Sequence, residues 1–304
     1  MQAWAECLTG GLAACCACVF SNPLEVVKTR MQLQGELQAS GTYKVHYRNF
    51  FHAFYTIGKN DGILALQKGL GLGMTYQFIM NGIRLGTFQQ ITNAGLTKDD
   101  EGNLSLPKCL IGGAVSGCLG AFVASPSYML KTQLQAKANT AIAVGTQHDI
   151  QSVSSTLKTI FQNHGITGLW RGASGAMLRV TFGSASQLTA FSKCKEKIIK
   201  SKVFEEGSLM IPVASSMSAS VVVVMVMTPF DVVSTRLYNQ PVCKETGKGL
   251  MYNNVFDVFR KIFKTEGFVG FYKGLGPHYF RVGPHTILSL VIWDKFRQML
   301  MKEP

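Results

Sequence analysis

Among the ionisable side chains inside long apolar stretches of this sequence are Glu25, Lys28, Arg30, Arg84, Lys108, Lys131, Arg179, Asp231, Arg236 and Arg281. A charge in hydrocarbon is costly unless it faces a polar cavity or a partner, so each is a candidate for function. Lys108, near the end of its stretch, can reach the interface along its own methylene stem. Arg84, Arg179 and Arg281 sit too deep for that and have no acid at the same depth. That pattern points to an anion held from several sides, because a guanidinium fork binds carboxylate or sulfate through parallel hydrogen bonds. No nucleophile–base pair, metal-ligand spacing or glycine-rich nucleotide loop accompanies them. The chemistry expected is therefore binding without a cofactor, and not catalysis.

The elements that must carry these groups come in three copies. Pro23-Leu-Glu25-Val-Val-Lys28-Thr-Arg30 is matched by Pro126-Ser-Tyr128-Met-Leu-Lys131-Thr-Gln133 and by Pro229-Phe-Asp231-Val-Val-Ser234-Thr-Arg236, at intervals of 103 residues. A second signature follows each: Asp61-Gly62 to Gln67-Lys68-Gly69, His164-Gly165 to Trp170-Arg171-Gly172, and Glu266-Gly267 to Tyr272-Lys273-Gly274. The chain is a tandem triplicate, divided as 1–99, 100–204 and 205–304. Six apolar runs, near 3–30, 70–92, 107–133, 173–194, 209–238 and 275–298, are each long enough to cross a hydrocarbon core of about 30 Å as helices. The prolines should kink the odd-numbered helices. Between each pair of runs lies an amphipathic piece, such as 255–263, suited to a helix in the membrane interface. The predicted fold is an all-α membrane protein of six tilted transmembrane helices with threefold pseudosymmetry.

Repeat arithmetic sorts the buried cations. Subtracting 103 from Arg179 gives Tyr76, and adding 103 gives Val282, the neighbour of Arg281, so Tyr76, Arg179 and Arg281 share one level. Arg84 lies two turns beyond Tyr76 on nearly the same face, and its counterparts are Gln187 and Leu290. Residues that keep the repeat serve the scaffold; residues that break it are where an asymmetric ligand is read.

Composition agrees with a membrane bundle. Apolar residues make up 47% and charged residues 15%, well below the roughly 25% charged of soluble domains, which excludes disorder. The net charge is +13, and the three loops inside the repeats (31–68, 134–171, 237–273) are basic, with 13 Lys/Arg against 6 Asp/Glu. The positive-inside rule keeps those loops in the non-translocated compartment. No nucleic-acid partner is expected. The eight cysteines form no disulfide framework, and Cys15-x-x-Cys18 lacks the second pair or nearby histidine that a metal site needs. The first 20 residues contain no Lys or Arg, so neither a secretory signal nor a mitochondrial presequence is expected there.

The two signatures, Px[DE]xx[KR]x[KR] and [DE]Gxxxx[aromatic][KR]G, together resemble the mitochondrial carrier family (solute carrier family 25) over essentially the whole chain. The resemblance implies an inner-membrane carrier with both termini towards the intermembrane space. It also implies one central site open alternately to each side, a monomeric state and cardiolipin as a lipid partner. In that family the proline motifs form an ion-pair gate on the matrix side. Carried over by position, Glu25 pairs with Lys131 and Asp231 with Lys28, while Tyr128 faces Ser234 without charge. Gln32 and Gln135 take the position of the glutamine brace below those pairs, with Tyr238 third. The opposite, cytosolic-side gate of the family is matched only by Trp293-Asp294-Lys-Phe-Arg297, since Phe88-Gln89 and Phe191-Ser192 lack its acid.

The family's substrate contact points fall on Tyr76 with Gln77, on Arg179 and on Arg281. Arg281-Val-Gly-Pro-His285-Thr and Asn81-Gly-Ile-Arg84-Leu-Gly resemble the branch holding the oxaloacetate and dicarboxylate carriers and members 34 and 35. The expectation is a secondary transporter of dicarboxylates or oxaloacetate, or of sulfate, by exchange or proton symport, with Asn81 and Arg84 adding selectivity. The alternative is a regulated proton or anion leak of the uncoupling type, which weakened gates would permit. His285 is left either as a proton-sensitive neighbour of the site or as a packing residue.

Overall fold

The computed structural model describes residues 3–39, 41–99, 105–201, 204, 210–243 and 245–301. The first repeat holds α1 (Ala3–Leu33), α2 (Phe50–Asn60) and α3 (Leu70–Asn93). The second holds α4 (Leu106–Val123), α5 (Ser125–Ala136), α6 (Val153–Leu169) and α7 (Ala173–Lys200). The third holds α8 (Met210–Asn239), α9 (Val255–Thr265) and α10 (Leu275–Met301). Helix α1 packs against α3 and α10, α3 against α4, α4 against α7, α7 against α8, and α8 against α10, which closes a ring in chain order.

Proline lacks the N–H for an intrahelical bond and its ring clashes with the preceding turn, so each odd-numbered span must give way near it. Helices α1 and α8 accommodate Pro23 and Pro229 within a continuous helix. The second repeat breaks instead, and α4 and α5 meet at Ala124 with a bend of 65°. By length and composition α1, α8 and the α4–α5 pair are apolar enough to cross a membrane. Helices α3, α7 and α10, of 24, 28 and 27 residues, span the same distance at about 1.5 Å per residue. They are less apolar because the polar residues lining the centre are mostly theirs.

The second signature owes its glycines to geometry. Gly62, Gly165 and Gly267 take φ of +83°, +64° and +69°, and Gly69, Gly172 and Gly274, which precede α3, α7 and α10, take +75°, +86° and +80°. A residue with a Cβ pays a steric penalty in that region, so two glycines per repeat turn the chain from the interfacial helix into the next span. The interfacial helices are two-faced as expected. Ala53 and Ile57 of α2, and Val258 and Ile262 of α9, are buried, whereas Phe51, Tyr55, Phe256 and Phe263 point outward. On α1 the helical period buries Cys18 and turns Cys16 outward.

Candidate functional site

The proline-bearing ends of the three odd-numbered spans converge on a layer of buried charge. Lys28 Nζ lies 2.7 Å from Asp231 Oδ2, and Lys131 pairs with Glu25, so one ion pair joins α1 to α8 and the other α5 to α1. All four side chains are almost fully buried. Gln32 donates from Nε2 to Asp231 Oδ2 at 2.7 Å and accepts from Thr235 Oγ1 at 2.8 Å, which sets it beneath the Lys28–Asp231 pair.

Gln135 departs from the expected brace. It accepts from Thr29 Oγ1 at 3.2 Å, as Gln32 does from Thr235, but its amide donates to Asn22 Oδ1 at 3.1 Å and not to Glu25. Glu25 is instead shared between Lys131 and Arg281. Nor does Tyr128 hydrogen-bond Ser234, whose hydroxyl is buried without a partner. The Tyr128 ring instead packs 4.8 Å from that of Tyr76 and 5.2 Å from that of Tyr238, while the Tyr238 hydroxyl pairs with Ser125 Oγ at 2.9 Å. Three tyrosines fill the position where the threefold pattern would place a third ion pair.

Above this layer is a cavity of about 290 Å³ whose walls include Lys28, Lys131, Tyr76, Gln77, Asn81, Arg84, Arg179, Arg281 and His285. Arg179 Nη2 donates to the Tyr76 hydroxyl at 2.8 Å, and its guanidinium stacks 4.9 Å over the Tyr128 ring. Here the expectation of arginines without acids needs correction. Arg281 Nη1 lies 3.1 Å from Glu25 Oε1, and Arg179 Nε lies 3.9 Å from Asp231 Oδ1. Depth along one helix hides these contacts, because each acid belongs to a different repeat from its arginine. Arg84, half-buried, makes no hydrogen bond or ion pair among the described residues. His285 faces Ser21 Oγ at 3.0 Å through Nδ1 and Gln77 Nε2 at 3.5 Å through Nε2.

The electrostatic sum is lopsided. Lys28, Arg84, Lys131, Arg179 and Arg281 are five cations, against Glu25 and Asp231, two acids, leaving three positive charges around one low-dielectric hollow. Such a site favours a small anion with more than one charge, held through charge-assisted hydrogen bonds.

At the end bearing the basic loops lie ion pairs that motif reading missed. Arg30 Nη1 meets Asp61 Oδ2 at 2.7 Å, and Arg236 Nη1 meets Glu266 Oε1 at 2.5 Å, both in near-complete burial. The signal was present in the repeats: the second repeat has Gln133 and His164 at these positions, so cation and acid are lost together. Nearby, Tyr252 donates its hydroxyl to Glu36 Oε1 at 2.9 Å. Burial pushes the Glu36 carboxyl up to about 7, against the opposing pull of the Arg236 guanidinium. Trp293, Asp294 and Arg297 lie on α10, but their side chains are outside the described residues.

Three segments of the chain, 1–98, 102–202 and 205–304, match the family described as mitochondrial carrier protein. The chain is 54% identical over 290 residues to solute carrier family 25 member 35 of Mus musculus, covering 95% of this chain and 96% of that one. Identity to the protein of the same name in Homo sapiens is 53% over 292 residues, covering 96% and 97%. The mitochondrial oxaloacetate transport protein of Saccharomyces cerevisiae is 38% identical over 298 residues, covering 96% of this chain and 89% of that one.

Proposed function

The chain belongs to the mitochondrial carrier family, six-helix transporters of the inner membrane and not enzymes, and within it we propose a carrier of small dicarboxylates, oxaloacetate foremost. The observation that carries this reading is the pair Arg179 and Arg281, set across one cavity with an excess of positive charge. The name of the yeast relative supports oxaloacetate; sulfate carries the same charge.

In this reading Arg179 and Arg281 clamp the anion, with Tyr76, Gln77, Asn81 and Arg84 setting its orientation. Lys28, Lys131, Glu25 and Asp231 form the matrix gate, with Tyr128 and Ser234 at its uncharged third position. Gln32 braces one pair, while Gln135 ties α5 to α1 one turn away. An entering dianion competes with Glu25 and Asp231 for the cations that hold them, so the closed layer is weakest when the site is filled. Reclosure on the other side is assigned to Trp293, Asp294 and Arg297. Alternation between these states moves the anion by exchange or with a proton. Cardiolipin is proposed for the hollow at the start of α7, where Arg171 has a buried guanidinium nitrogen without a partner and Lys248 lines the same wall. Since one chain encloses the whole cavity, the working unit is a monomer.

A regulated leak is the second reading, and the uncharged third position favours it. The packing of Tyr76, Tyr128 and Tyr238 at that position favours the carrier. Uptake of labelled oxaloacetate, malate, malonate and sulfate into proteoliposomes tests both. Saturable uptake that Arg179→Ala and Arg281→Ala each reduce by tenfold or more, on the order of a lost charged hydrogen bond, supports the clamp. Discharge of a membrane potential without saturable uptake, indifferent to both arginines, replaces the carrier with the leak.

A further inference from the structure

His278 on α10 is fully buried one turn before Arg281, and the repeat does not require a histidine there, since in the register set by Gly69, Gly172 and Gly274 its counterparts are Ala176 and Gly73. Its two ring nitrogens are both engaged. Nδ1 lies 3.0 Å from Thr228 Oγ1 of α8, and Nε2 lies 3.4 Å from Arg281 Nη2.

The proton positions follow from the partners. The Thr228 hydroxyl lies 2.5 Å from the Val224 carbonyl oxygen, a separation that two oxygens keep only with a hydrogen between them. A hydroxyl has one hydrogen, so Thr228 Oγ1 has only a lone pair to offer His278, and Nδ1 must carry the ring proton. Nε2 then presents a lone pair to a guanidinium that can only donate. The other tautomer would set an N–H against an N–H, and the doubly protonated ring would set a cation against a cation. The result is a one-way chain in which Arg281 donates to His278, His278 to Thr228, and Thr228 to the backbone of α8.

We propose that His278 is a positioning residue that fixes the Arg281 guanidinium at the cavity wall through the neutral Nε2 acceptor, so that Arg281 meets the substrate carboxylate with its plane already set. This rests on the reading that Arg281 binds the anion. With Nη1 held by Glu25 and Nη2 by His278, the long side chain has two anchors from two other elements, counting Thr228 behind the histidine. Nη1 and Nη2 each carry a second N–H beyond those used for Glu25 and His278, so the fixed group still has donor capacity for a ligand. Fixing the plane before binding removes the rotamer entropy that a loose arginine would lose on capture.

The test compares initial uptake rates of labelled oxaloacetate in proteoliposomes for wild type, His278→Leu, His278→Gln, Arg281→Ala and the double variant His278→Leu/Arg281→Ala. Leucine has similar bulk and no acceptor; glutamine keeps one. The expected result is a KM raised about tenfold in His278→Leu with Vmax near wild type, most of the loss recovered in His278→Gln, and a double variant no worse than Arg281→Ala alone. A KM unchanged in His278→Leu overturns the proposal. So does an added loss in the Arg281→Ala background, which marks a scaffold residue acting independently of Arg281. Should His278→Leu not fold, Thr228→Val carries the test: it removes the acceptor that sets the tautomer and should raise KM in smaller measure, and an unchanged KM overturns the proposal. If Arg281→Ala itself leaves uptake intact, the clamp reading fails and the positioning role fails with it, an outcome distinct from the others.

Discussion

Glu25 and Asp231 each answer to more than one cation, and this sharing is what makes single substitutions around the cavity severe. Asp231 faces Lys28, Arg179 and the Gln32 amide, all buried. Asp231→Asn leaves Lys28 in a dry site without its counter-charge, a defect that costs on the order of 3–5 kcal/mol. A large fall in thermal midpoint in detergent is expected, together with raised uptake into vesicles lacking internal anion. Glu36 makes a prediction of opposite sign. Its carboxyl titrates near 7 in the fold, above the usual 4.5, so the native state holds the proton more tightly than the unfolded chain. Its contribution is therefore full below about pH 4.5 and lost as pH rises through about 7. Glu36→Gln, which still accepts from Tyr252, should leave stability unchanged at pH 4 and raise it, with the midpoint, at pH 8 by up to about 3 kcal/mol. Equal midpoint changes at both pH values would show that the carboxyl is not held neutral by burial.

At the scale of elements, the ends of the odd-numbered spans are docked by one contact made three times. Arg30 donates to the Gln135 carbonyl, Gln133 to that of Tyr238, and Arg236 to that of Gln32, so each span reaches the next repeat around the ring. The first and third repeats add an acid, Asp61 or Glu266, to the arginine; the second, with Gln133 and His164, omits both. The second repeat therefore keeps the carbonyl contact without the ion pair. Asp61→His alone strands the buried Arg30 guanidinium and should cost roughly 3–5 kcal/mol, whereas Arg30→Gln with Asp61→His should recover most of that. Melting of the three variants decides it, and a double variant as unstable as the single would show that the second repeat depends on other contacts. The break between α4 and α5 belongs at this scale too, because the same proline that α1 and α8 hold within a continuous helix accompanies an interruption there.

Over the whole molecule, the closed layer is asymmetric, with ion pairs at two of its junctions and aromatic packing at the third. If the Lys28–Asp231 pair acts as a latch between the first and third repeats, exchanging its charges should preserve it. Lys28→Asp with Asp231→Lys should regain a larger share of transport than either single change, measured as exchange in proteoliposomes. Failure of the swap would point to the contacts of Asp231 with Arg179 and Gln32 as the indispensable ones. Much of this protein was legible in the linear chain: three copies at a fixed interval, six spans, paired glycines and buried charges all follow from periodicity and from the cost of charge in lipid. The sharing of Glu25 and Asp231, the tyrosine packing at Tyr128, the turn of Gln135 towards Asn22, and His278 behind Arg281 did not follow. Each depends on which side chains from different repeats meet at the proline-bearing ends of the spans. Spacing along a helix determines depth and face, but only closure of the ring decides which charge on one repeat lies within reach of which charge on the next.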